Sequence, residues 1–341
     1  MATMSASSAQ PSPELIFDTL NAYQRTAALK AAIELDLFTA IGEGANTAAA
    51  LAKRCNASER GVRILCDYLA IHGLLTKDTN RYALTRDSAL FLDRRSPACI
   101  ASAVGFLLHP DLMNNFQDLT AVVRQGGSLQ GDKGTAEPDN PIWVDFARSM
   151  APLQRPGAEG VAAILDADAG EKWKVLDIAA GHGVYGVTVA KHNPNAEIFA
   201  VDWPSVLRVA TENARAAGVE SRHHLLPGNA FEVDFGSGYD VVLLTGFLHH
   251  FDPPAIETLL RKIHSALAPN GRVVTVEFVP NEDRISPPIA AAFSLIMLGA
   301  TRAGDAYTLP EYEKMFRNAG FRSTELRPIP GGGQSAILSR K

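Results

Sequence analysis

The chain has 341 residues, 46% hydrophobic and 20% charged, with a net charge of −5. That length holds two domains of ~100–200 residues, and that balance supports a buried core. The acidic excess argues against a broad nucleic-acid-binding surface, no apolar run reaches the ~18 residues of a membrane span, and three scattered cysteines fit a reducing cytoplasm.

Residues 1–12 are small and polar and read as a disordered tail with no signal-peptide character. Pro13 starts a helix predicted to reach residue 40, with Leu15, Ile16, Leu20, Ala27, Leu29, Ile33 and Leu37 at near-helical spacing. Thr47–Cys55 is a short helix, Asn56–Ser58 a capping turn, Glu59–Leu75 a longer helix and Lys77–Thr85 a polar-tipped hairpin. Helix, turn, helix, hairpin makes residues 13–97 a winged-helix unit. Residues 98–165 form a helical linker and pocket region: an apolar helical stretch closed by Gly126-Gly127, a Gly/Asp/Pro-rich loop over 126–141, and a helix Trp143–Leu165 interrupted near Pro152 and Pro156. From 166 to 341 the pattern changes. Strands at 174–179, 197–201, 223–227, 239–245 and 271–278 alternate with helices, which gives a doubly wound parallel sheet. Two last strands, 321–327 and 334–339, flank Pro328–Gly333 and pair antiparallel. The fold class is therefore α/β, a Rossmann-like doubly wound sheet with a terminal antiparallel hairpin behind a mainly helical winged-helix domain.

The stretch from Lys174 to Gly186 runs an apolar strand into a glycine-rich turn and a helix, a backbone that lets a ligand approach closely. Asp202 ends the next apolar run, where an acid accepts both hydroxyls of a ribose. Two nucleoside cofactors compete. Gly181-His-Gly183-Val-Tyr-Gly186 fits the dinucleotide fingerprint G-x-G-x-x-G, which alone is weak. Asp177, on the strand four residues before the first glycine, makes the surroundings resemble the first motif of class I methyltransferases that use S-adenosylmethionine (SAM). The terminal antiparallel hairpin leans the same way.

The whole pattern resembles the two-domain O-methyltransferases that include plant phenolic and bacterial polyketide-tailoring enzymes. The resemblance is carried by Val175–Gly183, Val201-Asp-Trp-Pro204, Pro227–Phe231, Leu243–Asp252, Ala268–Gly271 and Asn318–Phe321. It implies that SAM is held with Asp177, Gly181 and Gly183 near its methionine and ribose and Asp202 on the ribose hydroxyls. Trp203, Asn229, Ala230 and Phe231 would lie around the adenine, and Thr245 near the cofactor. Asn229 stands where the family usually has Asp, and its side-chain oxygen still accepts from an amine. His249 takes the slot of the family's general base, and Glu277, 28 residues on, that of the carboxylate orienting it. A second such Glu would fall at Leu309 and is missing.

An imidazole with an ordinary pKa near 6.5 suits deprotonation of a hydroxyl at neutral pH. The alternatives for His249 are a positioning group in S-, C- or N-methylation, a wall of the cofactor pocket with His250 as the base or no base at all, or, with His250, a metal site. No metal is expected, because adjacent histidines rarely converge on one ion. The resemblance builds the pocket for a small-molecule methyl acceptor from the helix around Phe146 and Met150 and from the apolar segment 287–300, with Phe293 and Met297. All four are equally readable as plain core. Phe106 and His109 are further candidates, and Arg148 reads as a solvated surface residue. The N-terminal domain implies a homodimer. Its basic residues Lys53, Arg54, Arg60 and Arg63 leave open a SAM-binding DNA regulator, against which Glu59 and Asp67 interrupt the charge.

Overall fold

The computed structural model describes residues 11–130, 139–330 and 333–341. The predicted tail as far as residue 10, the middle of the predicted 126–141 loop and the tip of the terminal hairpin lie outside the described residues. The chain divides into two compact units, one ending at Val104 and one running Gly105–Lys341.

The first unit contains helices α1 (Glu14–Leu20), α2 (Ala22–Glu34), α3 (Leu37–Gly42), α4 (Ala48–Arg54), α5 (Glu59–Ile71) and α6 (Arg86–Phe91), and an antiparallel hairpin β1 (Leu75–Asp78) and β2 (Arg81–Leu84). The single helix expected over 13–40 is three. The chain breaks at Asn21 and at Asp36, whose φ of 55° is left-handed. That turn drives Leu37 and Phe38 into a core with Leu51, Val62, Cys66 and Leu69. The helix expected to reach Leu75 stops at Ile71, because Gly73 takes a φ of 73° and the chain reverses into β1. Thr47 and Ser58 cap α4 and α5 by accepting from the Ala50 and Gly61 N–H groups. Burial pushes the Cys66 thiol up to about 12, leaving it an inert core residue.

In the second unit the apolar region before residue 126 is a chain of short helices, α7 (Val104–Leu107), α8 (Pro110–Asn114) and α9 (Leu119–Gln125), rather than a long one. Pro110 and the capping Asp118 each start a new helix. Helix α10 (Ile142–Leu165) is continuous through Pro152 and Pro156, contrary to the expected interruption. Each proline costs roughly 3 kcal/mol in a helix interior. The buried face Ala158, Val161, Ala162 and Leu165 packs with Val187 and Val189 and outweighs that cost.

Seven strands form one sheet in the order β5–β4–β3–β6–β7–β9–β8: β3 (Trp173–Ile178), β4 (Ala196–Asp202), β5 (His223–Pro227), β6 (Tyr239–Thr245), β7 (Leu267–Glu277), β8 (Ser323–Pro328) and β9 (Ser335–Arg340). The pairs among β3 to β7 are parallel, and β9 is antiparallel to both β7 and β8. Helices α11 (Val184–His192), α12 (Pro204–Ala216), α13 (Pro253–Ala266), α14 (Pro288–Ala300) and α15 (Leu309–Asn318) complete the unit. Alternate residues serve opposite faces. Val175, Leu243 and Val274 pack with α10 and α11, whereas Leu176, Val242 and Val273 pack with Ile256 and Leu259 of α13 and Phe316 of α15. Strand order reverses between β3 and β6, and the crevice at the carboxyl ends there is where such sheets bind ligands.

Candidate active site

A cavity of about 630 Å³ opens at that crevice. Its floor comes from the strand ends: Ala179 and Gly181 after β3, Asp202 ending β4, Gly228 after β5, Thr245 ending β6 and Phe278 after β7. Its walls are α10, α14 and the segment Phe106–Phe116. A pocket of this size holds a nucleoside and a small acceptor together.

The loop after β3 is held open by left-handed residues, Ala179 at φ 53°, Gly181 at 56° and Gly183 at 69°. Gly181 lines the cavity and donates its N–H to Asp202 Oδ2 at 2.8 Å. Asp202 Oδ1 accepts from the Trp203 N–H at 2.7 Å. Burial raises the Asp202 carboxyl to about 6 against the lowering effect of these two N–H bonds. Each carboxylate oxygen keeps a lone pair for a ligand hydroxyl. Trp203, Asn229, Ala230 and Phe231 line the adjacent wall. The Asn229 oxygen accepts from the Phe231 N–H at 3.0 Å and its amide donates to Glu232, so this side chain first shapes its own turn.

Two residues expected at the cofactor sit behind the loop. Asp177 is fully buried, accepts from the Gly186 N–H at 3.2 Å, and has its other oxygen unpartnered among the described residues. Burial, with a smaller push from Asp202, raises its carboxyl to about 7. Gly183 is needed for contact with α12: a Cβ there would lie 3.0 Å from the Ala210 Cβ. Neither residue lines the cavity.

His249 and Glu277 meet. Glu277 ends β7 fully buried, and its Oε1 accepts from the backbone N–H groups of Phe247 and Leu248 at 3.0 and 2.9 Å. Its Oε2 lies 2.5 Å from His249 Nδ1. With Nδ1 as the donor in that contact, Nε2 is the ring nitrogen left to accept a proton. His249 lines the cavity with the Phe293 ring edge-on at 4.9 Å. Its neighbour His250 also lines the cavity, against Trp143, and burial holds it well below the usual histidine pKa. Among the described residues no cluster of His, Cys, Asp and Glu has metal-ligand geometry.

Phe146, Met150, Phe293 and Met297 all line the same cavity. Phe106 joins them, edge-on to Phe146 at 5.0 Å. His109 does not. It caps α8 and lies 3.7 Å from both Asp111 and Asp145. Arg148 is exposed and pairs with Glu212 at 3.3 Å. The sequence reading missed Met113, Phe116, Trp143, Gln154, Phe247 and Gln334, which line the cavity too. Only the helical spacing of Trp143, Phe146, Met150 and Gln154 on α10 carried a signal for any of them.

Comparison with known proteins decides the family. Residues 158–322 match the O-methyltransferase domain and residues 17–94 the O-methyltransferase dimerisation domain. The solved structure of a candidate O-methyltransferase from Nostoc punctiforme is 53% identical, with a TM-score of 0.93, over 98% of this chain and 100% of that one. The chain belongs to the O-methyltransferase family. A 3-hydroxy-5-methyl-1-naphthoate 3-O-methyltransferase of Streptomyces sahachiroi is 27% identical over 96% of this chain and 94% of its own. PigF, a SAM-dependent methyltransferase of a Serratia strain, is 25% identical over 88% of each chain, and its structure with S-adenosylhomocysteine superposes with a TM-score of 0.83. The protein is thus a SAM-dependent methyltransferase. The winged-helix half is the family's dimerisation domain, so the regulator reading is not supported. Two of its basic residues are already paired, Arg54 with Glu43 at 2.9 Å and Arg63 with Asp67 at 3.1 Å. No helix among the described residues is long and apolar enough to cross a membrane.

Proposed function

We propose that this O-methyltransferase methylates a hydroxyl on a flat, mainly apolar small molecule, working as a cytoplasmic homodimer, with His249 as general base. The single observation that carries the base assignment is the His249–Glu277 pair at the cavity wall. The residues present fit SAM. Asp202 offers a carboxylate at ribose depth, Trp203 and Phe231 offer rings, and Gly181 leaves backbone open beside the methionine end. Asn229, Ala230 and Thr245 complete that wall, while Asp177 and Gly183 hold the loop's shape from behind.

Bound SAM supplies an electrophilic methyl group and leaves as a neutral thioether. His249 Nε2 takes the acceptor's proton as its oxygen becomes nucleophilic, and Glu277 balances the imidazolium so formed. Phe146, Met150, Phe293 and Met297 would exclude water and hold a flat acceptor between them. The exposed apolar residues Leu15, Ile16, Phe17 and Leu20 of α1, within or beside the dimerisation-domain match, are the surface expected to pair between subunits.

The test is turnover of the His249→Ala variant at pH 7, followed as S-adenosylhomocysteine release on a panel of aromatic hydroxyl compounds. Calorimetric binding of S-adenosylhomocysteine controls for folding. Loss of about 10²–10⁴-fold in kcat with unchanged binding is expected. Near-wild-type turnover sinks the base assignment.

A further inference from the structure

The wall of the cavity after β5 is a single tight turn, and α13 holds it from outside. The Asn229 carbonyl accepts the N–H groups of Glu232 and Val233 at 2.9 and 2.8 Å, and the Asn229 side-chain oxygen accepts that of Phe231 at 3.0 Å. These bonds lie within the turn, so they fix its shape and not its place. The carbonyls of Ala230 and Val233 turn outward, and the Lys262 ammonium donates to both, at 3.0 and 2.7 Å. The same ammonium lies 4.1 Å from the centre of the buried Phe235 ring. Lys262 is half-buried, and that burial lowers its pKa against the raising pull of Asp234 and Glu232. Two carbonyls and a ring face thus stand in for much of the water an ammonium would otherwise keep.

Lys262 comes from a rigid element. On α13, Ile256, Leu259, Leu260 and Ile263 are buried against Leu176 and Val242 of the sheet. Asp252 caps that helix by accepting the Ala255 N–H at 2.9 Å, and it follows directly on the loop that carries His249. One helix therefore has the base loop at its start and the turn beside it about 15 Å further on, at the helical rise of ~1.5 Å per residue. The turn brings less packing of its own. Asn229, Phe231 and Val233 are only partly buried, and the Phe231 ring leans edge-on against Phe251 at 5.0 Å. The carbonyls on either side of Phe231 depend on Lys262. Asn229, Ala230 and Phe231 line the cavity, whereas Lys262 does not. Hydrogen bonds to an ammonium are roughly twice as strong as neutral ones, so losing both releases the turn that presents these three residues to a ligand.

Resting on the reading that this turn faces the adenine of SAM, we propose that Lys262 is a positioning residue for base recognition: from outside the cavity it holds the turn where the turn can read the adenine edge. The test is calorimetric binding of S-adenosylhomocysteine and of S-inosylhomocysteine, in which an oxygen replaces the adenine amine, to the full-length protein. Lys262→Met keeps the stem and removes the donors, and Lys262→Arg keeps charge and donors. Lys174→Met is the matched control. Near the start of β3, at the end of the sheet away from the cavity, Lys174 donates to the Ser237 carbonyl at 2.9 Å and lies 4.3 Å from the Tyr239 ring centre. The wild type is expected to bind the adenine compound at least ~10-fold more tightly, because a donor and an acceptor on the base edge change places. Lys262→Met should weaken S-adenosylhomocysteine roughly 3–30-fold and bring the ratio of the two affinities to within about threefold, the scale of one or two hydrogen bonds. Lys262→Arg should restore most of the ratio, and Lys174→Met should lower the melting temperature with the ratio unmoved. Should Lys262→Met fail to fold, Lys262→Gln, with one neutral donor, must still lower the ratio. A wild-type ratio in these Lys262 variants, whatever their thermal stability, overturns the proposal and leaves the adenine reading intact. An equal loss of the ratio in Lys174→Met also overturns it, since general loosening then suffices. If the wild type binds both compounds alike, the adenine reading of the turn fails and this one with it.

Discussion

Replacing Glu277 with Gln changes one atom and should nearly abolish methyl transfer. The Oε1 position receives two backbone N–H groups, from Phe247 and Leu248, and only an acceptor fits there. The glutamine carbonyl must take that place, which turns its NH₂ group onto His249 Nδ1, where the carboxylate oxygen now sits at 2.5 Å. The ring answers by giving up its Nδ1 proton and carrying one on Nε2 instead. Nε2–H cannot accept a proton from the acceptor. The enzyme then loses what a positioned base contributes, ~10²–10⁴-fold, or about 2.7–5.4 kcal/mol at ~1.36 kcal/mol per tenfold. The assay is single-turnover methyl transfer with saturating SAM, beside S-adenosylhomocysteine affinity, which should not move because Glu277 does not line the cavity. The double variant with His249→Ala should be no worse than His249→Ala alone, since the pair acts as a unit. Glu277→Gln turnover within threefold of wild type, or multiplicative losses in the double variant, would refute the reasoning.

Asp202→Asn should weaken S-adenosylhomocysteine binding by roughly 10–100-fold, the scale of a hydrogen bond to a charged group, and titration calorimetry reads it directly. Binding unchanged within a factor of two would remove Asp202 from the ribose. His192 lies between Asp168 at 2.9 Å and Glu159 at 2.7 Å, and both raise its pKa, Asp168 first. A raised histidine stabilises fully below the unfolded value of ~6.5, and that contribution disappears as pH rises through the folded value. His192→Gln should therefore flatten the decline in thermal stability above pH ~6.5, by less than about 1 kcal/mol because the group is partly solvated. Parallel melting curves for the two proteins across that range would contradict it.

The parallel sheet was legible because its strands are continuous apolar runs closed by glycine or acid, and β5 and β6 end where the pattern said. His249 and Glu277 were visible only through the family resemblance, since nothing local brings residues 28 apart into contact. Local rules misled in two places. Pro152 and Pro156 read as an interruption, but the packing of α10 on α11 prevails. Asp36 carries only the general tolerance of Asp for the left-handed region, too weak a signal to break a helical pattern, so three helices read as one. Asp177 is expected near the cofactor from its motif; in the structure one carboxylate oxygen accepts from Gly186 at the start of α11. Lys262 carries no signal in the sequence because its meaning depends on Ala230 and Val233, 32 and 29 residues away.

The two prolines of α10 have an effect beyond shape. Neither Pro152 nor Pro156 has a hydrogen to give, so the rungs that would run back to Arg148 and Pro152 are missing from the ladder. Leu153 and Gln154 lie between them, over the cavity. The flanks are pinned, one by the Trp143–Phe146 ring cluster and the other by the seam with α11. A stiff rod has been left unbraced for one turn above its cargo. Hydrogen exchange should find that turn opening before either flank.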